Sequence, residues 1–268
     1  VLYGRDIGKP DAKSNVFKMN SEMGFYCHKL TTHLLGYQCL SSTEQTKKAV
    51  RQLQKLRPDV VHLHNLHGHY LNMKVLFSYL KEADIPVVWT FHDCWPFTGH
   101  CAHFHAIGCE KWKTGCGNCP QKMAYPRSLF FDRSAEQWKL KKELYGDFSN
   151  LHIVTVSHWL EGLVRESFLS KRDIRTVYNG IDCSIFYPRE SAGTIRQKMQ
   201  LGDKKIILGV ASGWTERKGL KDFLQMSPKL DDHTVILLVG KIPQNLELPE
   251  NVLSYGTVRG AEEMATLY

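Results

Sequence analysis

Short β-branched runs alternate along the chain with amphipathic stretches. "DVVHLH" (59–64), "PVVWTF" (86–91), "LHIVTV" (151–156) and "IRTVYN" (174–179) are apolar runs ending in polar residues, the pattern of strands buried in a sheet. Helical periodicity lies between them. "STEQTKKAVRQLQKL" sets Val50, Leu53 and Leu56 on one face, and Ser41 three residues before Glu44 has capping-box spacing. "YLNMKVLFSYLKEAD" follows the first run, and "SAEQWKLKKELYGDF" opens with Ser134 three residues before Gln137. Strand–helix–strand order predicts a parallel sheet with right-handed crossovers. After "FYPRESAGT" the pattern restarts with "KKIILGVA" (204–211), "HTVILLVG" (233–240) and "NVLSYG" (251–256), and "KGLKDFLQMSPKL" is the helix between the first two. A boundary near Pro188 gives one α/β unit over 1–187 and the first part of another over 188–268.

Composition narrows this picture little. The 268 residues are 43% apolar and 23% charged, enough for one large core or two smaller ones, and no apolar tract has membrane-spanning length. "VLYGRDIGKP" carries neither an initiator Met nor a signal pattern, so the sequence reads as a piece of a longer, cytoplasmic protein. The net charge of +8 implies affinity for anions, whether nucleotide phosphates, nucleic acid or lipid headgroups, or only a solvated surface. Cys27, Cys39 and Cys183 are dispersed among apolar residues and read as buried or inert thiols.

Parallel sheets bind ligands beyond the carboxyl ends of their strands, and four motifs fall there. "HLHNLHGHY" (62–70) offers Asn65, His67 and the Gly68 backbone to a hydroxylated ligand. A metal among its histidines is disfavoured because no carboxylate or cysteine joins them and alternate strand residues are expected to face apart. "WTFHDCWPFTGH" puts His92 and Asp93 at a strand tip, where a carboxylate-oriented imidazole binds hydroxyls or moves a proton; a plain strand-capping histidine is the alternative. "VYNGIDCSIFYP" holds Asn179 and Gly180 in a tight interdomain turn or simple hinge. "GVASGWTERKGL" runs from a strand through Gly213 to Arg217 and Lys218 at a helix entrance, a geometry suited to a pyrophosphate without a metal.

Residues 94–120 form a cysteine-rich insertion. Cys101, Cys109, Cys116 and Cys119 end in a Cys-x-x-Cys knuckle, "CGNC", and fit a closed tetrahedral zinc site of structural role. Reduced packed thiols, a disulfide and an iron–sulfur cluster are the alternatives, and Cys94 is the poorest ligand. A zinc here would staple the insertion so that His92 is held in place.

"PDVVHLHNLHGHYLN", "WTFHDCWPFTGHC", "GCGNCPQ", "VTVSHWL", "VYNGIDCSIFYP" and "ERKGL", in this order, resemble glycosyltransferase family 4, particularly its bacterial exopolysaccharide and colanic-acid-type members. The resemblance covers essentially the whole chain. It implies a GT-B-type pair of Rossmann-like domains with parallel sheets, the second incomplete: an acceptor side over 1–187 and part of a nucleotide-sugar domain over 188–268. It implies a retaining transferase with a nucleotide-sugar donor, a glycan or lipid-linked saccharide acceptor and no catalytic metal. His92 then faces the donor sugar beside Asp93; Arg217 and Lys218 face the diphosphate, with Gly213, Asn179 and Gly180 on the donor side; Asn65, His67, Gly68 and Ser157 lie toward the acceptor. The family's glutamate pair would follow "GAEEMATLY" and its first strand would precede Val1, so the sequence given is expected to be inactive alone. Expected partners exclude nucleic acid and include peripheral contact with an anionic membrane surface at its inner face. A non-catalytic carbohydrate-binding remnant and a zinc-stabilised nucleic-acid-binding protein are the competing functions.

Overall fold

A computed structural model describes residues 2–4, 16–188 and 193–268. The chain divides into two compact units, Val1–Asn179 and Gly180–Tyr268.

The first unit opens with a parallel pair of two-residue strands, β1 (Leu2–Tyr3) and β2 (Phe17–Lys18). Helix α1 (Glu22–Leu35) follows, which the sequence pattern did not predict because its apolar residues are spread around the axis. Its ends are conventional: Ser21 Oγ accepts from Gly24 N at 3.1 Å, and Gly36 takes the left-handed conformation that closes the helix (φ 75°). Helix α2 (Thr43–Leu56) departs from the predicted capping box. Ser41 Oγ is 3.0 Å from Thr31 Oγ1, and Ser42, the actual cap residue, has its hydroxyl 2.8 Å from His28 Nδ1. Tertiary partners thus took both hydroxyls from the helix end. The buried face of α2 is Thr46, Ala49 and Leu53, whereas Leu56 is exposed.

Strand β3 (Val61–Leu63), helix α3 (Met73–Glu82), strand β4 (Val87–Phe91), helix α4 (Ser134–Lys141), strand β5 (Leu151–Thr155), helix α5 (His158–Arg165) and strand β6 (Asp173–Thr176) complete the unit. The four strands form one parallel sheet in the order β3-β4-β5-β6. Helix α4 also lacks its predicted box: Asp132 Oδ1, not Ser134, accepts the exposed amide, from Ser134 N at 2.9 Å. Its core is aromatic. Phe77, Trp89, Phe91, Phe97, Trp112 and Tyr145 are buried together, each contributing on the order of 2–3 kcal/mol of apolar burial. Tyr145 donates its hydroxyl to Pro96 O, tying the helical layer to the turn after β4.

Residues 94–133 lie between β4 and α4 and contain only three-residue 3₁₀ turns, Trp95–Phe97, His105–Ile107 and Lys111–Lys113. A buried polar centre fastens this segment. Gln38 Oε1 accepts from Trp95 Nε1 at 2.6 Å, its Nε2 lies 2.8 Å from His100 Nδ1, and its carbonyl accepts from Gln137 Nε2 at 3.4 Å. Gly99 is obligatory here, since a Cβ would stand 1.9 Å from Ser134 O and 2.7 Å from the Cys116 side chain.

The second unit holds α6 (Gly193–Lys198), β7 (Lys205–Gly213), α7 (Leu220–Met226), β8 (Thr234–Lys241), β9 (Val252–Gly256) and α8 (Ala261–Leu267). Its three strands are parallel in the order β7-β8-β9, and β8 is buried along almost its whole length, as a central strand covered on both faces must be. Among the described residues no helix is long and apolar enough to cross a membrane.

Candidate functional site

All four strands of the first sheet run the same way, so the turns after them share one edge. Register decides which side chains meet there. His62 pairs with Val88 and Leu63 with Trp89; two-residue periodicity then sets His62, His64, Thr90 and His92 on one face. This corrects the expectation that the histidines face apart: the His62 and His64 rings are 4.3 Å apart. His62 Nε2 lies 2.8 Å from Thr90 Oγ1, and His64 Nδ1 lies 3.0 Å from His92 Nε2. One proton bridges the last pair, so the tautomer of His92 is set by that of His64. Burial first, then the neighbouring His62 and His92, lower the His64 pKa, which favours its neutral form.

The loop after β3 brings a second histidine inward. Leu66 is buried, Cys39 Sγ donates to its carbonyl at 3.2 Å, Trp89 Nε1 donates to His64 O at 2.9 Å, and Tyr70 Oη donates to Asn65 O at 2.8 Å. His67 is thereby held with Nε2 2.9 Å from Asp93 Oδ2 and Nδ1 3.0 Å from Tyr125 Oη. A carboxylate therefore does join the histidine motif, contrary to the sequence reading. Asp93 Oδ1 accepts from Trp95 N at 2.9 Å. Burial would raise the Asp93 pKa, but the His67 contact and the Trp95 amide outweigh it and leave the carboxyl below its usual range. His92 is exposed at the tip while Asp93 is half-buried behind it. Asp93 thus orients His67 and not His92, contrary to the sequence reading; His92 is oriented by His64 and presents an imidazole to solvent.

Asn65, His67, His92 and Asp93 line one concavity with His64 and Trp95. Gly68 sits in the turn beside it, where a Cβ would stand 3.0 Å from the Tyr70 ring. Ser157 follows β5, but its hydroxyl caps α5, accepting from Leu160 N at 3.2 Å. Asn179 ends the first unit, Gly180 begins the second, and both are exposed. Tyr125 and His64 escaped the sequence reading. The two-residue parity of 62, 64, 90 and 92 was the available signal for His64, whereas Tyr125 lies 58 residues from His67 and had none.

In the second unit β7 slips register between Val210 and Gly213, and the chain turns Trp214 inward, its Nε1 donating to Val239 O at 3.1 Å. Arg217 and Lys218 occupy a 3₁₀ turn, Glu216–Lys218, and α7 begins only at Leu220, after Gly219 in the left-handed conformation (φ 80°). Both cations are exposed and stand just before the helix, at its entrance. Of the dispersed cysteines only Cys39 is buried; Cys27 and Cys183 are exposed. Cys101, Cys109, Cys116 and Cys119 line a single pocket.

A model described as Glycosyltransferase Family 4 matches residues 21–185. The chain is 29% identical over 189 residues to a protein of Escherichia coli (strain K12), "Putative colanic acid biosynthesis glycosyl transferase WcaC", covering 66% of this chain and 45% of that one. Its fold resembles Anabaena Alr3699/HepE in complex with UDP, at TM-score 0.54 and 14% identity over 94% of this chain and 57% of that one. A complex of the same Anabaena protein with UDP-glucose matches at TM-score 0.52 and 14% identity over the same shares, 94% and 57%. Sucrose-phosphate synthase (tll1590) from Thermosynechococcus elongatus matches at TM-score 0.52 and 14% identity over 84% of this chain and 52% of that one. The chain spans about half the length of these proteins, 45% to 57%. The structural likeness establishes an α/β fold of GT-B type with parallel sheets. Since the family model takes in most of the sheet β3-β4-β5-β6 and every turn at its carboxyl edge, the chain belongs to glycosyltransferase family 4.

Proposed function

We propose that this chain is part of a retaining glycosyltransferase that moves a sugar from a nucleotide donor to a glycan or lipid-linked acceptor during assembly of a bacterial surface polysaccharide. The observation that carries this reading is the His92–Asp93 turn: an exposed imidazole with its tautomer set by His64, backed by a carboxylate fixed by His67 and Trp95, at the carboxyl edge of a family 4 sheet. Such a group hydrogen-bonds a sugar hydroxyl in one defined orientation. The bond from the anomeric carbon to the diphosphate breaks, the acceptor oxygen bonds to that carbon on the same face, and the acceptor's proton leaves with the departing phosphate. Arg217 and Lys218, exposed on their turn, are the cations assigned to the diphosphate, where charge stabilisation is the largest catalytic contribution. The UDP and UDP-glucose complexes of the Anabaena protein support a uridine diphosphate sugar as the first donor to try. The net charge of +8 suits work beside an anionic bilayer at the cytoplasmic face.

The test uses the full-length protein, a panel of nucleotide sugars and a glycan acceptor, with product configuration read by NMR. Donor-dependent nucleoside diphosphate release with a retained anomer is expected. His92→Ala should depress turnover while nucleotide affinity stays nearly intact. An inverted product, an unchanged His92→Ala rate, glycan binding without diphosphate release, or salt-dependent retention on DNA in place of transfer would each overturn this reading.

A further inference from the structure

The insertion between β4 and α4 poses a question that sugar transfer does not answer. Its backbone is irregular from 98 to 133, yet its turns are closely fixed. Asn118 adopts the left-handed conformation (φ 46°), which folds the Cys116–Cys119 segment into a tight knuckle. Lys111 Nζ clamps that knuckle by donating to Gly117 O and Asn118 O, both at 3.0 Å. Asp132 Oδ2 accepts from Cys119 N at 2.6 Å, and Gly99 N donates to Cys116 Sγ at 3.2 Å. An amide aimed at sulfur is the outer-sphere contact a metal-bound sulfur uses.

The four sulfurs surround a cavity of about 20 Å³, walled by Thr98, Phe104 and Trp112 among others. That is room for one water-sized particle. It is too small for an organic ligand. A second observation concerns charge. Lys141 is fully buried, donates to Trp95 O at 2.7 Å and Thr98 O at 2.9 Å, and lies over the Trp95 ring at 3.4 Å. Among the described residues it makes no salt bridge; Cys39, Cys116, Asp93 and Cys101 are in its surroundings, and burial lowers its pKa to about 7. Four thiolates around a divalent cation carry a net charge of −2, which would favour the charged ammonium.

We propose that Cys101, Cys109, Cys116 and Cys119 bind one zinc ion as thiolates and so fasten this insertion to the sheet that carries His92 and Asp93. Among the described residues no three His, Cys, Asp or Glu side chains stand ready to hold a metal, so zinc would have to draw the four sulfurs together. Zinc draws each sulfur to about 2.3 Å, and up to four protons pass to solvent as it binds. His100, whose buried Nε2 has no hydrogen-bond partner, stands on the same wall as the competing ligand. Tyr125, the partner of His67, lies on the same insertion, so the metal supports the site without touching substrate.

The test is elemental analysis of the chain purified under reduction with zinc(II) and then freed of loose metal. One zinc per chain is expected, with the exposed Cys27 and Cys183 reacting with a thiol reagent in the folded chain and the four ligand cysteines reacting only after a mercurial releases the metal. Cys109→Ser and Cys119→Ser should lose the zinc, while Cys94→Ser, Cys39→Ser and His100→Asn keep it. If the serine variants do not fold, cobalt(II) substitution of the unaltered chain counts sulfur ligands from its charge-transfer absorption, and four are expected. Folded, metal-free protein in which Cys101, Cys109, Cys116 and Cys119 react along with Cys27 and Cys183 overturns the proposal, as does a disulfide or bound iron. Loss of zinc on His100→Asn but not on Cys109→Ser would overturn the four-cysteine ligand set.

Discussion

Acid should loosen the packing of α1 through two histidines. His28, on α1, and His69, in the loop after β3, are buried with rings 5.7 Å apart, and burial lowers the pKa of each from 6.5 to about 4. His28 Nε2 has no hydrogen-bond partner, so protonation there would place an uncompensated charge in the core. Between the two pKa values the unfolded chain binds protons that the folded one does not. Stability conferred by the neutral imidazoles is therefore complete above 6.5 and is lost as pH falls toward 4. At about pH 4.5 the loss for one such imidazole is about 2.5 kcal/mol, a large share of the ~5–15 kcal/mol that holds a domain together. The assay is urea unfolding at about pH 7.5 and about pH 4.5 by tryptophan fluorescence, which reports on the first unit because every tryptophan but Trp214 lies within it. His28→Asn, which can retain the Ser42 contact, and His69→Asn, tolerated at φ 60°, should flatten the profile. Carboxylates also titrate in this window, so the difference between parent and variants is the measured quantity. Identical pH dependence in all three proteins would refute the argument.

Three further outcomes are expected. His67→Ala should destabilise the first unit by about 3 kcal/mol by stranding the half-buried Asp93 carboxylate, and combination with Asp93→Ala should cost clearly less than the sum; additive urea midpoints would mean the pair is not coupled. Because the Asp93 pKa is depressed, its contribution is present above the ordinary carboxylate range and lost as pH falls through the folded value, so Asp93→Asn should remove that acid-sensitive component from denaturation curves. Lys218→Ala in the full-length protein should weaken nucleoside diphosphate binding by about 1–3 kcal/mol and leave nucleoside binding unchanged; calorimetry showing equal losses would place the turn away from the diphosphate.

What the sequence made legible was set by local physics. Val87–Phe91 and Thr234–Lys241 are apolar, β-branched runs whose burial needs no distant partner to be inferred, and these two strands fell within one residue of expectation. The helix caps did not, because a serine hydroxyl goes to whichever acceptor tertiary structure brings near: Ser42 meets His28, and Asp132 takes over from Ser134. The site divides likewise. His92 and Asp93 are readable from their place after a strand, whereas the Asp93–His67 bond depends on the β3–β4 register and the His67–Tyr125 bond on how an irregular insertion folds back. Lys141 lies among other lysines on a helix, and nothing local marks it as buried.

The bonds made by Gln38 also have a kinetic meaning. They join residues 57, 62 and 99 positions apart, so none can form until a long stretch of chain has been drawn into place. The entropy of closing such loops rises only slowly with length, but it is lost before any of the three contacts compensates for it. Because Trp95, His100 and Gln137 meet one residue, the three contacts form or break as a unit. A Gln38 substitution that accelerates unfolding without slowing folding would place that unit after the folding transition state.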